Sequence, residues 1–415
     1  MLINKDLHTY LSEFILNDLN VFSKRKKTVV EYFEVEGIRI PKFINEFWTS
    51  KQRQGNPIHQ VSYRACFKAE LPRFFIKLLT KENDVVYDPF AGRGTTIIEA
   101  ALINRNVIAN DINPLSTILS KPRLSIPSFV DVKDRLKKIK FKGGLKADID
   151  LSMFYHLDTE SEIVSLRNYL VRKMKNGKED FIDEWIRMVA TNRLTGHSKN
   201  FFSVYTLPPN QAVTPERQKK INKQKDQKPV YKDVKFIILK KTRDLISEMD
   251  KKLIYQLKKI GSKAKFLNND ARLTSSIRSN SINLTVTSPP FLDIVNYTED
   301  NWLRCWFNNI GANDVARNIT ITKKLDDWET VMFEVFKELY RITKRNGYIA
   351  FEVGEVRRGK VKLDEHIVPL GMEGGFECLG IVINLQNFTK TANIWGINNN
   401  KVGTNTNRIV VFRKI

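Results

Sequence analysis

Two short segments of this 415-residue chain carry residue types that could do chemistry. The first, Asp88-Pro89-Phe90-Ala91-Gly92-Arg93-Gly94-Thr95-Thr96, reads as a strand end, a glycine turn and a helix start. Gly92 and Gly94 remove side chains where a ligand must approach the backbone closely, and Asp88 supplies an acid at the strand end. Asp111 and Asp270 close two further strand patterns. Three acids at three successive strand ends suit a nucleoside cofactor: Asp88 for an amino-acid portion, Asp111 for ribose hydroxyls, Asp270 for an adenine amino group. The third glycine of a dinucleotide fingerprint is missing, and so is the lysine of a phosphate loop.

The second segment, Thr287-Ser288-Pro289-Pro290-Phe291, reads as a strand end running into a rigid double-proline turn. An exocyclic amine on a base is a poor nucleophile because its lone pair is delocalised into the ring. Ser288 and the Pro289 carbonyl could accept both amine hydrogens and aim the lone pair, and Phe291 could stack on a flipped base. None of the three cysteines, Cys66, Cys305 and Cys378, follows a proline, so the nucleophile needed for attack on a cytosine ring carbon is missing.

The elements that must position these loops follow from periodicity. Residues 5–35 are expected to be a helical start. Val85 to Asp88 and Asn106 to Asn110 read as buried strands around a helix from Thr95 to Ile103, a βα unit of a parallel sheet. Strand character returns at Ala264 to Leu267, Ile282 to Thr287, Tyr348 to Val353, Gly380 to Leu385 and Arg408 to Phe412. Trp328, Met332, Val335 and Leu339 share one face of a helix that Asp326 or Asp327 is expected to cap. The expected fold is α/β, a doubly wound, mostly parallel sheet. An N-terminal extension (1–60) precedes a core segment with the glycine loop (61–121). An inserted region (122–261), large enough to be a module of its own, separates it from a second core segment with the proline turn (262–415).

Lys and Arg outnumber Asp and Glu by 69 to 46, a net charge of +23, which favours a polyanionic partner. Within the insert, Lys219 and Lys220 are candidates for phosphate contacts. Arg193, His197, Asn210 and Gln211 are residue types that read base edges. Glu13 and Asp18 break the apolar spacing of the N-terminus, so no targeting signal is read there. Nothing approaches the roughly 18 apolar residues of a membrane span. An odd, scattered set of cysteines points to reduced thiols in a cytoplasm, and the histidines form no metal-ligand cluster.

Asp88 to Thr96 resembles the first motif, and Ser288 to Phe291 the fourth motif, of the DNA amino-methyltransferases, more closely the N4-cytosine members of restriction–modification systems. Tyr63 to Pro72 is similar to the family's cofactor-pocket segment. Arg193 to Ser198, Tyr205 to Gln211 and Phe388 to Gly396 also resemble segments of this subgroup. The resemblance implies a seven-stranded mixed sheet, S-adenosylmethionine as cofactor, and methyl transfer to cytosine N4 in double-stranded DNA. It also implies a cognate restriction endonuclease in the same system. Carried over residue by residue, it gives Ser288, Pro289, Pro290 and Phe291 as catalytic, and Phe67, Asp88, Phe90, Gly92, Gly94, Asp111, Ile112 and Asp270 as cofactor-binding. One departure stands: the cofactor motif precedes the catalytic one, an order found in many adenine-N6 enzymes, whereas Ser288 in place of Asp or Asn favours cytosine. Methylation of an RNA base and a silent DNA-binding subunit are the other readings.

Overall fold

A computed structural model describes residues 6–16, 27–48, 55–63, 66–207, 212–290, 297–311, 324–356, 360–385 and 406–415. Eleven described strands are β1 Val29–Val35, β2 Ile38–Asn45, β3 Val85–Asp88, β4 Asn106–Asn110, β5 Lys265–Leu267, β6 Ile282–Thr287, β7 Thr343–Val353, β8 Glu355–Val356, β9 Val361–Lys362, β10 Phe376–Leu385 and β11 Thr406–Lys414. Nine join one sheet in the order β1-β2-β10-β11-β7-β6-β3-β4-β5, and β8 and β9 form a separate small hairpin. From β5 to β7 every pairing is parallel, and β11 runs antiparallel to both its neighbours. The expected mixed, mostly parallel sheet is present, widened from seven strands to nine by the β1–β2 hairpin.

That hairpin corrects the expectation of helix across residues 5–35. Helix α1 covers only Leu7–Ser12, and Val29–Val35 is a strand rich in β-branched and aromatic residues. Val35 pairs with Ile38 across a two-residue loop, Glu36-Gly37, with φ of 52° and 79°. Both residues of such a loop need positive φ to match the twist of the strands. β2 then runs parallel to β10 and becomes continuous with the sheet.

The remaining helices are α2 Glu70–Leu79, α3 Thr95–Leu102, α4 Leu115–Ser120, α5 Phe129–Lys138, α6 Leu157–Lys175, α7 Phe181–Arg193, α8 Pro215–Gln224, α9 Val234–Ile246, α10 Lys251–Gly261, α11 Tyr297–Phe307, α12 Leu325–Ile342 and α13 Leu363–Glu373. Alternating strand residues divide the core. Val86, Leu284, Val286, Ala350 and Ile409 face α2, α3 and the insert, while Tyr87, Ile349, Phe351 and Val410 face α12 and α13. Trp328, Met332, Val335 and Leu339 line the buried side of α12 as their spacing requires. Its N-cap is Lys324 without a side-chain cap; Asp326 and Asp327 sit inside the first turn, where a carboxylate still favours the helix dipole.

The insert is helical, its starts fixed by Ser128 in a capping box and by Asp180, Thr214 and Asp233 at N-caps. It does not build a separate core: Trp185, Met188, Val189 and Ile238 belong to the cluster that also covers one sheet face. α10 packs on α3 and β4, so the core resumes before residue 261.

The chain reverses direction at the middle of the sheet. It builds β3, β4 and β5 outward, then returns to lay β6 on the other side of β3. A crevice opens at the carboxyl ends of strands where such a reversal occurs, and ligands of doubly wound sheets bind there. Both motif loops leave strands at this point.

Asn384 on β10 holds the segment after β2 in place. Its buried Oδ1 accepts from the backbone N–H groups of Phe47 (2.7 Å) and Trp48 (3.1 Å), and its Nδ2 donates to the Trp48 carbonyl at 3.3 Å. Asn384→Leu strands three buried backbone groups and is expected to lower the unfolding free energy by about 3–9 kcal/mol, at about 1–3 kcal/mol per orphaned group. Urea denaturation of both proteins measures it.

Candidate cofactor and catalytic site

Asp88 ends β3 with its carboxylate 1% exposed. Oδ1 accepts from the Thr287 hydroxyl at 2.6 Å and from the Phe90 N–H at 3.1 Å, and the Thr96 hydroxyl also bonds this carboxylate. Thr287 is the last residue of β6, so one acid ties the cofactor loop to the strand that leads into the catalytic turn. Burial pushes the Asp88 carboxyl up to about 7, against these hydrogen bonds; the nearby Asp111 charge adds to the rise.

The loop after β3 is shaped by two glycines with different roles. Gly92 has φ 51°, and its N–H donates to Asp111 Oδ2 at 2.8 Å. A Cβ there would meet the Tyr63 ring at an ordinary 3.6 Å, so backbone conformation is its requirement. Gly94 has φ 77°, and a Cβ would stand 2.4 Å from the Ser120 Cβ; here packing of α3 against α4 excludes a side chain. Asp111 also accepts from the Asn113 N–H at 2.9 Å, and burial raises its carboxyl to about 6. Among the described residues, neither Asp88 nor Asp111 forms an ion pair. Two desolvated acids at one crevice, each held above the usual carboxylate range, fit a ligand that brings positive charge. S-adenosylmethionine, with its ammonium and sulfonium groups, meets that condition.

The other expected cofactor positions divide. Phe67 is partly buried, and its carbonyl accepts from Arg93 Nη2 at 3.4 Å. Phe90 packs partly buried against the α12 side of the sheet, and Ile112 is partly buried beside Asp111. Asp270 is committed elsewhere: Arg272 donates to it from Nε at 3.0 Å and from Nη2 at 2.6 Å, holding the acid below the usual range. Any base amine there must share the carboxylate with Arg272. Asn110, missed from sequence, is buried and joins three loops. Its Nδ2 donates to the carbonyls of Pro89 (3.3 Å) and Asn269 (2.9 Å), and its Oδ1 accepts from the Asn269 N–H at 3.0 Å. Its place at the last residue of a strand is the signal that pointed to it.

In the catalytic turn Ser288 is partly buried and Pro289 buried; Phe291 lies outside the described residues. The Pro290 carbonyl accepts from Trp328 Nε1 at 2.9 Å, so the buried face of α12 also fixes this turn. Glu352, at the end of β7, is a second omission: it is buried and hydrogen-bonded by Ser288 and Asn407.

The insert positions also separate. Lys219 and Lys220 are exposed on α8, and Lys219 lies 3.7 Å from Asp150 at the surface. Arg193 is turned inward. Its guanidinium stacks 3.9 Å from the Phe201 ring centroid, donates to Asn192, and is lowered to about 9, chiefly by burial. A side chain so enclosed does not reach a base edge, and the expectation that it reads one is withdrawn. His197 is partly buried beside Phe201; Asn210, Gln211 and the 388–396 segment lie outside the described residues. No described helix is long and apolar enough to cross a membrane, and no described cluster could hold a metal ion.

Residues 12–117, from the N-terminal segment through the glycine loop, match the family model described as DNA methylase. Type II methyltransferase M.MjaII of Methanocaldococcus jannaschii is 27% identical over 104 residues, covering 25% of this chain and 19% of that protein. Type II methyltransferase M.MvaI of Kocuria varians is 25% identical over 263 residues, 56% of this chain and 52% of that protein. The chain thus spans about half, or less, of these relatives. A solved SAM-dependent methyltransferase from Methanosarcina mazei overlaps 82% of this chain and 97% of its own at 10% identity, with a TM-score of 0.32. The segment that carries the cofactor loop is thus similar to DNA methylases and to two type II methyltransferases.

The raised Asp88 carboxyl has a testable sign. Between the unfolded value near 3.9 and the folded value of about 7, the folded state binds the extra proton, so this group's contribution to stability falls as pH rises. Asp88→Asn lacks that loss. Its melting temperature relative to wild type, both without ligand, is expected to be higher at pH 8 than at pH 5; a constant difference would contradict the assignment.

Proposed function

We propose that the chain is an S-adenosylmethionine-dependent DNA methyltransferase that modifies the N4 amine of cytosine in a restriction–modification system. The observation that carries this reading is the Thr287–Asp88 hydrogen bond, which sets the Ser-Pro-Pro turn beside the glycine loop at the sheet's crevice. The family match over the cofactor-loop segment supports the same class.

S-adenosylmethionine, when bound, supplies an electrophilic methyl group. Asp88 and Asp111, with the loop held by Gly92 and Asn110, would hold its polar parts. Ser288 and the Pro289 carbonyl accept the amine's two hydrogens, which draws the nitrogen toward tetrahedral geometry and frees its lone pair. Two prolines and the Trp328 hydrogen bond keep the turn from reorganising, so orientation is set before the base arrives. Phe291 stacks on the flipped base. A base must leave the duplex to reach a crevice at strand ends, and the exposed Lys219 and Lys220 would hold phosphates meanwhile. Double-stranded DNA is the proposed substrate, the cytoplasm the place of action, and a cognate endonuclease the functional counterpart.

A second reading, adenine N6 as the target, draws on the order of the loops, cofactor before catalytic. Serine at position 288, where Asp or Asn would point to adenine, moves the balance back toward cytosine through the family resemblance.

Duplex DNA incubated with the full chain and methyl-labelled cofactor, then digested to nucleosides for mass spectrometry, is expected to carry label in N4-methylcytosine. Label in N6-methyladenine would keep the mechanism and change the base, and label in 5-methylcytosine would overturn both. Ser288→Ala is expected to lower turnover by about 10²-fold with cofactor affinity retained, the size of one lost charge-developing hydrogen bond.

A further inference from the structure

Glu352 is 7% exposed at the carboxyl end of β7 and shares its face with Ala350 and Ile409, both in an apolar cluster. Strand pairing places Phe351 beside Thr287 and Glu352 beside Ile409. The carboxylate therefore lies just past the end of β6, where the Ser288 hydroxyl bonds it. From the opposite flank, Asn407 Nδ2 on β11 donates to its Oε1 at 3.0 Å.

The neighbouring charges are occupied elsewhere. Arg408 points to the other sheet face, where Glu355 and Asp364 take its guanidinium. Asp88 reaches the site only through Thr287. On α13, Glu365 pairs with Lys42 and His366 with Glu329. On α2, which lies along β6, Arg73 is paired with Glu99, and the half-buried Glu70 adds a like charge. Among the described residues no cation is paired with Glu352.

A buried carboxylate without a cation is costly, and an apolar residue at this strand end would pack at no such cost. Burial holds the carboxyl above the ordinary glutamate range, against the Ser288 and Asn407 hydrogen bonds. A carboxylate so held, in hydrogen-bond contact with the turn's hydroxyl, takes up a proton more readily than an ordinary glutamate.

We propose that Glu352 is the proton acceptor of the catalytic turn and acts through Ser288; this rests on the amine-methyltransferase reading above. As the nitrogen's lone pair forms the N–CH₃ bond, the S–CH₃ bond breaks and its electron pair stays on sulfur. The methylated nitrogen then carries one proton too many. That proton passes to Ser288 Oγ while the Oγ–H proton passes to Glu352, leaving a neutral base, an intact serine and a protonated acid that returns its proton to solvent after release. The serine and the glutamate together do what a single carboxylate in the turn would do. A Ser288→Asp substitution would set two carboxylates in contact, and only one of them could ionise.

The test uses the full chain, duplex DNA and S-adenosylmethionine, and it begins with wild type. If wild type places no methyl group on an exocyclic amine, the parent reading fails and Glu352 is not at issue. With wild type active, Glu352→Gln is expected to lower the single-turnover rate by about 10²-fold, to flatten the acid limb of the pH–rate profile, and to keep cofactor and DNA affinity. Ser288→Asp is expected to be less active than Ser288→Asp combined with Glu352→Gln. An unchanged rate and acid limb in Glu352→Gln overturn the proposal. Should that variant fail to bind cofactor, Asn407→Leu decides: it removes a donor to the ionised form, so the acid limb should move to higher pH, and an unmoved limb overturns the proposal.

Discussion

A hydrogen bond of 2.6 Å between Thr287 and Asp88 joins the ends of the two strands that flank the reversal in the sheet. Parallel strands can slide in register unless something fixes their ends. β3 and β6 share only two paired positions, Val86 with Leu284 and Tyr87 with Thr285. The buried carboxylate, bonded by Thr287, Thr96 and the Phe90 N–H, sets where both loops begin. Hydrogen bonds to an ionised group are stronger than neutral ones, by roughly a factor of two. The same burial that strengthens them raises the proton affinity of Asp88, so the joint is strained without a positively charged ligand.

Around that joint the chain solves a second constraint. Residues 57–63 and 66–67 belong to no strand, so their carbonyls need donors from elsewhere. Arg123 donates to Ile58, Arg93 to Val61 and Phe67, and Arg304 and Asn192 to Ser62. These donors come from the glycine loop, the insert and the helix after the catalytic turn. The insert is therefore structurally continuous with the cofactor segment. Arg123 is fully buried, and its guanidinium is lowered to about 9 by burial first and by Arg93 second. Some of the chain's positive charge thus serves backbone carbonyls inside the protein instead of a nucleic-acid surface.

What was legible in the sequence was local. Asp88, Asp111 and Ser288 could be placed because strand ends followed by glycine or proline turns announce themselves in adjacent residues. The β1–β2 hairpin was missed although Glu36-Gly37 between two alternating runs is a turn signal; the helical spacing near Leu7 was extended too far. The pairing of Asp270 with Arg272, two residues on, is a local contact that the sequence reading left out. Glu352 and the Trp328 bond to Pro290 are meetings of distant segments, and no spacing in the chain reports them; for Asn110 the strand end was legible and its partners were not. Arg193 shows the converse: a residue type that reads bases is recognised from sequence, whereas its burial against Phe201 depends on the packing of the insert.

One joint serving both loops is the central claim, and removing the joint tests it most directly. Thr287→Val keeps the shape of the strand end and removes the hydroxyl. Calorimetry with S-adenosylhomocysteine, paired with single-turnover methylation of duplex DNA, should show affinity weakened by about tenfold, the size of one hydrogen bond to a charged group, together with a slower chemical step. Unchanged cofactor affinity with a slowed step would mean that the two loops are positioned separately, and would contradict the claim.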